Sequence, residues 1–360
     1  MIVLASISLL IWIYLLFFRA GFWRVRKHLS YSCPPACARV VAVIPVRDEA
    51  ENIAQTVTSL MNQTLPPFRI IVVDDSSTDG TGLVAAAAGA RVIRGEPLPP
   101  GWTGKLWALQ QGVEEAEALA PDFLLFTDGD IIHEPNNIAQ LVAIAESGNY
   151  DLASYMVKLS CETLAEKALI PAFVFFFLML YPPGRVPGAA GGCVVIRLSA
   201  LQKIGGIGVI RREVIDDCAL AQAVAGTGGR LWLGLTTQAR SMRQYRTFAE
   251  VERMISRSAF NQLRHSALLL IATVAGLTLI YLVPIAALFT RSAAIGAITW
   301  LVMGIAYWPM VRFYGLSPLW SLSLPFIAMF YMGATIHSAI EYWAGRGGVW
   351  KGRAQDMVQR

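Results

Sequence analysis

The stretch Phe123-Leu124-Leu125-Phe126-Thr127-Asp128-Gly129-Asp130 sets two carboxylates one residue apart directly after four apolar residues. The apolar run reads as a buried strand, so Asp128 and Asp130 emerge together at its carboxyl end, where open α/β sheets place their ligands. Paired acids repel unless a cation lies between them. A hard divalent ion, Mg²⁺ or Mn²⁺, relieves that repulsion and leaves coordination positions for the oxygens of a diphosphate. A polar turn closing the strand has the same composition. A second acidic pair stands in Glu213-Val214-Ile215-Asp216-Asp217-Cys218-Ala219-Leu220. A carboxylate there is suited to take a proton from a hydroxyl, or to cap the helix expected over Cys218 to Ala225.

These groups need a sheet to bring them together. Arg39 to Val46 reads as a buried strand, and Ile53, Val57, Leu60 and Met61 recur after it at helical spacing. Arg69 to Val73 forms a second strand ending at Asp74-Asp75, and Ser76 to Thr81 supplies turn and cap residues before an alanine-rich helix. A short strand at Arg91 to Arg94, a helix over Lys105 to Leu119 and the strand before Asp128 follow. Strands alternating with helices predict a parallel sheet with right-handed crossovers. Asp48 and Glu49 then follow the first strand, Asp74 and Asp75 the second, and Asp128 and Asp130 the fourth. Three acidic clusters on one sheet edge predict a nucleotide site.

Composition adds a membrane. With 360 residues, 55% of them hydrophobic, and a mean hydropathy of +0.50, the chain is too apolar for an ordinary soluble enzyme. Met1 to Phe18 is nearly all apolar and precedes Arg19, Arg24, Arg26 and Lys27. A cleaved signal peptide has the reverse order, so residues 1–18 read as a transmembrane anchor with the basic cluster on the cytoplasmic side. Ala267 to Thr290, Ser292 to Val311 and Leu316 to His337 are further apolar runs. The expected layout is an anchor at 1–18, a globular domain at 36–265, transmembrane helices over 266–340 and a basic cytoplasmic tail at 341–360. Three spans after the anchor would leave Arg346, Lys351, Arg353 and Arg360 outside, against the positive-inside tendency. One run must therefore be re-entrant or interfacial, with Pro284, Pro318 and Pro325 as candidate breaks, or else the first segment enters the membrane differently. Pro171 to Leu180 is too short to span and suits an interfacial helix, or a buried core helix.

The net charge of +5 is accounted for by juxtamembrane arginines facing anionic lipid, and no basic stripe with interleaved aromatics points to nucleic acid. The five cysteines show no metal-ligand spacing and suit reduced thiols in a cytoplasmic domain.

The residues Ile44-Pro45-Val46-Arg47-Asp48-Glu49, Val73-Asp74-Asp75-Ser76-Ser77-Thr78-Asp79-Gly80-Thr81 and Asp128-Gly129-Asp130 resemble the three N-terminal signatures of family 2 glycosyltransferases. Gly101-Trp102-Thr103-Gly104-Lys105 resembles a segment of the membrane-bound, lipid-glycosylating branch, and the chain is similar to its hopanoid-cluster-associated members. The resemblance implies the nucleotide-diphospho-sugar transferase (GT-A, Rossmann-like) α/β fold, inside the helical anchors already described. It further implies that Asp74 and Asp75, with Pro45 and Glu49 nearby, bind the uracil and ribose of a UDP-sugar. Asp128 and Asp130 would hold the metal on the diphosphate, and Lys105 would contact phosphate. The acidic pair Asp216-Asp217 resembles the family's Glu-Asp motif with Asp216 in the place of the glutamate, which makes Asp217 the base of an inverting displacement. The family's Gln-x-x-Arg-Trp motif is absent. Arg253 and Arg257, one helical turn apart, offer guanidinium groups to phosphate in its stead, or else face solvent or membrane. The bland readings are a helix-start acid for Glu49, a solvated lysine for Lys105, a surface or capping residue for His133 as against an approach to the metal or a phosphate, and a plain loop for Gly188 to Gly192 as against close approach of backbone to sugar or acceptor. A nucleotide-sugar donor and a membrane lipid hydroxyl, on a hopanoid, another isoprenoid or a glycerolipid, are the expected partners. Transfer to a polyprenyl phosphate, or nucleotide-sugar binding without turnover, are the alternatives.

Overall fold

The computed structural model describes residues 1–25, 38–65, 69–346 and, as backbone alone, 349–350 and 353–354. Arg26, Lys27, Cys33, Cys37, Lys351 and Arg360 lie outside the described residues, as do all side chains beyond Arg346. In chain order the first elements are α1 (Ile2–Phe18), β1 (Val40–Val46), α2 (Ile53–Met61), β2 (Arg69–Asp74), α3 (Thr81–Ala87), β3 (Arg91–Arg94), α4 (Gly104–Glu117) and β4 (Phe123–Phe126). There follow β5 (Ile131–His133), α5 (Asn137–Ser147), β6 (Leu152–Lys158), α6 (Leu164–Leu180), β7 (Val194–Arg197), α7 (Leu198–Lys203), α8 (Asp216–Gly226), β8 (Leu231–Ser241) and α9 (Phe248–Gln262). The chain divides into an α/β unit, Arg26–Leu159 and Pro187–Arg243 with Val349–Arg360, and a helical unit, Met1–Val25, Ser160–Val186 and Gln244–Gly348.

The α/β unit is built on an eight-stranded sheet of order β3-β2-β1-β4-β7-β6-β8-β5. Every residue of β1 is buried, because the strand is central and both its faces are covered. Ala42, Ile44 and Val46 join a core with Ile53 and Val57 of α2 and Leu141 of α5. Val41 and Val43 turn the other way, into a core with Leu109 and Val113 of α4 and Leu220 of α8. Alternation between two cores is why the strand reads as an unbroken apolar run. Helix α4 lies so close to β1 that a Cβ on Gly112 would come within 2.3 Å of Val43 and 2.9 Å of Val73. Glycine there lets the helix seat against the sheet and sets the position of Lys105 at its first turn.

The parallel arrangement expected from the sequence holds for β3, β2, β1 and β4. Beyond them the sheet is mixed: β7 runs antiparallel to both β4 and β6, β8 runs parallel to β6, and β5 closes the edge antiparallel to β8. The reason is connectivity. After β6 the chain leaves for the helical unit through Ser160–Val186 before returning as β7, so no simple crossover helix constrains its direction.

In the helical unit, three helices among the described residues are long and apolar enough to cross a membrane: Ala267–Ala287, Ala293–Phe313 and Pro318–Trp343. The predicted anchor is a shorter apolar helix of 17 residues, α1. It is fixed by a backbone defect. Pro284 has no N–H to give the carbonyl of Ile280, and the helix opens into a π turn over Thr278–Leu282. Ser8 Oγ and Trp12 Nε1 of α1 donate to that carbonyl at 3.0 and 3.1 Å, so no polar group is stranded in an apolar surround. Arg19 caps the other partner of α1, donating to the Met179 carbonyl at the end of α6. Helix α6 is the buried core helix of the two sequence readings: Phe175 packs on Phe22 and Tyr307, and Phe176 on Tyr281 and Tyr331. Its first turn is held by Glu166, which accepts from the backbone of Glu162, Thr163 and Tyr245.

Contacts along the long helices give their directions. Leu270 shares a core with Ala339, and Thr278 meets Met332, so Pro318–Trp343 runs antiparallel to Ala267–Ala287. A Cβ on Gly296 would meet the Pro284 carbonyl and Ala287, so Ala293–Phe313 is antiparallel to it as well. The two later helices therefore point the same way, and the chain between them doubles back. Trp300 Nε1 donates to the Leu322 carbonyl at 2.9 Å, which sets the 3₁₀ turn Pro318–Ser323 beside the middle of Ala293–Phe313. Pro318 begins this turn, at which the chain reverses within the helical unit. The chain thus leaves the helical unit beside α9, where Phe260 packs on Trp343 and Ser338 Oγ accepts from the Phe260 N–H.

Candidate active site

The parallel half of the sheet delivers its acids as expected. Strands β1 and β2 pair in register up to Val46 and Asp74, and the Asp75 N–H donates to the Val46 carbonyl at 2.9 Å. The loops that follow turn sharply, with Asp48 at φ 48° and Ser76 at φ 56°, a left-handed conformation that short polar side chains stabilise locally. They bind each other. Ser77 Oγ accepts from the Asp48 N–H, Asp48 Oδ1 from the Thr78 N–H, and Asp79 Oδ2 from the Ala50 N–H. Desolvation would raise the Asp79 pKa, but the backbone N–H groups of Ala50, Thr81 and Asp79 itself and the hydroxyl of the buried Thr81 hold it below the usual carboxylate range; the same Thr81 Oγ1 accepts from the Glu49 N–H at 2.8 Å. Asp75 is buried at 1% exposure, with the Arg47 guanidinium 3.7 Å from its carboxylate. Asp74 is half-buried and accepts the Ser77 N–H.

Gly129 sits between the two acids of the opening motif because a Cβ there would come within 2.9 Å of Val46. Asp128 and Asp130 diverge to separate cations. Lys105 Nζ lies 3.0 Å from Asp128 Oδ1 and 3.0 Å from Asp216 Oδ2, joining the two acidic motifs through one ammonium. Burial alone would lower the Lys105 pKa, but Asp128, Asp216 and Asp217 together raise it, so the group stays charged. The solvated-lysine reading does not describe this residue.

Asp217 stands in the first turn of α8 with Asp216. It is no N-cap: its Oδ1 accepts the N–H of the next residue, Cys218, and its Oδ2 accepts the Gly191 N–H, both at 2.7 Å. Burial and the Asp216 carboxylate push it up to about 6, against Lys105 and these two hydrogen bonds. A carboxylate with that pKa is ionised at neutral pH yet basic enough to accept a proton. Lys105, Asp128, Asp216, Asp217, Gly191 and Pro45 line one cleft.

Asp130 is held from the antiparallel half of the sheet. Ser241 Oγ donates to its Oδ2 at 3.0 Å, and Arg243 Nε lies 3.7 Å away. Burial, Asp128 and Glu49 raise its pKa and Arg243 opposes them. Arg243 also donates to Glu49 Oε1 at 3.0 Å, so Glu49 belongs to this charge network and not simply to a helix start. Sequence reasoning missed Arg47, Ser241 and Arg243. The one signal for the last two was a strand, Leu231–Ser241, that ends in the basic run Arg240-Ser241-Met242-Arg243.

Two carboxylates one residue apart are oxygen ligands of the kind that Mg²⁺ or Mn²⁺ accepts when water and a diphosphate complete its shell. Among the described residues no group of three or more His, Cys, Asp and Glu stands ready to hold a metal. The protein donor set thus fits an ion shared with a ligand and does not amount to a closed cage. His133 takes no part: at 2% exposure its ring lies between Thr127 Oγ1 and Asn137 Nδ2, and burial pulls its pKa down to about 3. Arg253 and Arg257 are exposed residues of α9, in the helical unit.

Residues 41–205 match Glycosyl transferase family 2. The 4,4'-diaponeurosporenoate glycosyltransferase of Staphylococcus aureus (strain MRSA252) is 36% identical over 90 residues, 25% of this chain and 23% of that protein. Its counterpart from Staphylococcus haemolyticus (strain JCSC1435) is 34% identical over 110 residues, 30% of this chain and 28% of that protein. The chain spans about a quarter of the length of these curated relatives. A mannosyltransferase from Pyrobaculum calidifontis, solved in complex with GDP-Man and Mn²⁺, superposes with a TM-score of 0.58 at 16% identity, covering 93% of this chain and 98% of that one. At that identity the likeness is one of fold, the GT-A fold.

Proposed function

From a chain that carries a family 2 glycosyltransferase domain at residues 41–205, we propose an inverting, metal-dependent enzyme that moves a sugar from a UDP-sugar to a hydroxyl of a membrane lipid. The observation that carries the reading is the meeting of the donor-side acid Asp128 and the acidic pair Asp216-Asp217 on one lysine, in one cleft. Asp74, Asp75 and Glu49, with Pro45 beside them, receive the uracil and ribose as hydrogen-bond acceptors. Lys105 faces the negative charge of the departing nucleoside diphosphate. Asp217 takes the proton of the acceptor hydroxyl as its oxygen bonds to the anomeric carbon and the bond from that carbon to the diphosphate oxygen breaks. Asp128 and Asp130 would hold a divalent cation, which would supply positive charge to the diphosphate.

Three helices of membrane-crossing length support an integral membrane protein, and we take the catalytic unit to be cytoplasmic. An enzyme so anchored is placed to meet a lipid, with a hopanoid or another isoprenoid as the acceptor that the family resemblance favours. The curated relatives are named for glycosyl transfer to 4,4'-diaponeurosporenoate, a carboxylate, which keeps a second reading in play: an anionic acceptor such as a polyprenyl phosphate needs no base. Incubation of the full chain with a panel of radiolabelled sugar nucleotides and native lipid extract, followed by mass analysis, tests the proposal. A labelled neutral lipid is the expected product. Release of no nucleotide from any donor would leave only a binding role.

A further inference from the structure

We propose that Thr127 is a positioning residue for Asp217, acting through the Gly192 carbonyl and held in place by His133 and Asn137. The inference rests on Asp217 being the base. Thr127 directly follows β4, one residue before Asp128, and is buried with His133 and Asn137. The direction of each hydrogen bond follows from what the groups can do. The Gly192 carbonyl only accepts, so the Thr127 hydroxyl gives it its single proton, at 2.7 Å. Thr127 Oγ1 must then accept from His133 Nε2, 3.0 Å away. The proton of the ring is thereby placed on Nε2, and Nδ1 accepts from Asn137 Nδ2 at 3.0 Å. A histidine this deeply buried stays neutral, so the relay keeps one polarity throughout the working pH range.

The far end of the relay reaches the base. Gly192 follows Gly191, whose N–H donates to Asp217 Oδ2 at 2.7 Å. On the other side of Gly191, the Ala190 N–H donates to Ser154 Oγ at 2.8 Å, and the same hydroxyl donates to the Ala190 carbonyl at 3.0 Å. Two buried hydroxyls therefore pin the backbone on both sides of Gly191 and leave one peptide N–H aimed at Asp217. The Thr127 hydroxyl also ties that loop to the strand end bearing Asp128. It thus sets the spacing between the donor-side acid and the base. The glycine-rich segment Gly188 to Gly192 is accordingly a support for the base.

The test compares Thr127→Val, which keeps the side-chain shape and removes the hydroxyl, with Thr127→Ser, which keeps the hydroxyl. With Thr127→Val, kcat is expected to fall about threefold to tenfold, as for loss of one hydrogen bond, with the donor KM unchanged. The acid limb of its pH profile should move to higher pH, since the Gly191 N–H, which favours the ionised form of Asp217, is then no longer held in line with it. Thr127→Ser should restore both. His133→Phe, which removes the donor to Thr127 from a position outside the cleft, should move the acid limb the same way and serves if Thr127→Val does not fold. Asp217→Asn is run beside them. A full rate in Asp217→Asn overturns the base assignment on which the inference rests. An unmoved acid limb in Thr127→Val and His133→Phe, alongside an inactive Asp217→Asn, overturns the relay alone.

Discussion

The two halves of the sheet contribute different things to one site. The parallel half, β3-β2-β1-β4, presents carboxylates at its strand ends, and its first two acidic loops are tied to each other by side-chain-to-backbone hydrogen bonds. The mixed half, β7-β6-β8-β5, contributes the groups that hold those acids: Ser241 and Arg243 at the end of β8, and the Gly191 N–H before β7. The lesson is that an acidic motif does not by itself predict a metal cage. Asp128 and Asp130 do repel, and the chain answers with its own cations, Lys105 for one and Arg243 for the other. The carboxylates Glu49, Asp128, Asp130, Asp216 and Asp217 still outnumber these two cations, which leaves net negative charge for the divalent ion of the proposal.

Removing the cation of the mixed half breaks this comparison hardest. Arg243→Ala leaves Asp130 and Glu49 beside Asp128 with one positive charge fewer, at a cost of about 1.5–3 kcal/mol for lost hydrogen bonds between charged groups. Denaturant unfolding of the α/β unit within the full chain should show it. Added Mn²⁺ should raise the midpoint of Arg243→Ala more than that of the unaltered protein, because the ion then supplies the missing charge.

Lys105→Met removes the cation of the parallel half and is read in the pH profile. Asp217, pushed up to about 6 by burial and Asp216 and held there by Lys105, should climb further without the ammonium. A base must be ionised to act, so the acid limb of kcat should move to higher pH by about one unit, the low end for loss of an adjacent opposite charge. An unmoved limb would mean that Asp217 does not take the proton.

Ser241→Ala deletes one hydrogen bond to Asp130 from the mixed half. About 0.5–1.5 kcal/mol of stability should be lost, with the larger part of the Arg243 effect left intact. Smallest is Asp79→Ala, which unties the two acidic loops of the parallel half. Asp79 is held below the usual carboxylate range, so its contribution is present above the unfolded pKa near 4 and fades as pH falls through the lower folded value. Asp79→Ala should therefore lower the thermal midpoint at neutral pH, and the difference from the unaltered protein should shrink towards pH 3.

How far the sequence could be read follows the same division. The parallel half was legible because buried strands are unbroken apolar runs with turn residues and acids at their ends: β1, β2 and β3 fall where the pattern puts them. Lys105, Asp216 and Asp217 were legible as motif positions, although only the fold reveals that one ammonium joins them. The mixed half was not legible. Its pairings are long-range and interrupted by Ser160–Val186, and β5 is only three residues long. Arg243 meets Asp130 only because β5 and β8 pair in a register that sets Ile131 opposite Ser241. His133 was readable as a type of group but not as a buried one, since its neutrality depends on Thr127 and Asn137 arriving from β4 and α5. The chain reversal at Pro318–Ser323 depends on packing that no local pattern records, and charge parity alone left Pro284, Pro318 and Pro325 open as breaks.

The most direct measurement is single-turnover transfer of labelled sugar to lipid by the full chain and by Asp217→Asn, with donor affinity measured on both. Asp217→Asn should bind donor as the unaltered protein does and transfer at least about a hundredfold more slowly, the usual weight of a general base. Transfer at an undiminished rate would contradict the account, and would assign the cleft to an acceptor that is already anionic.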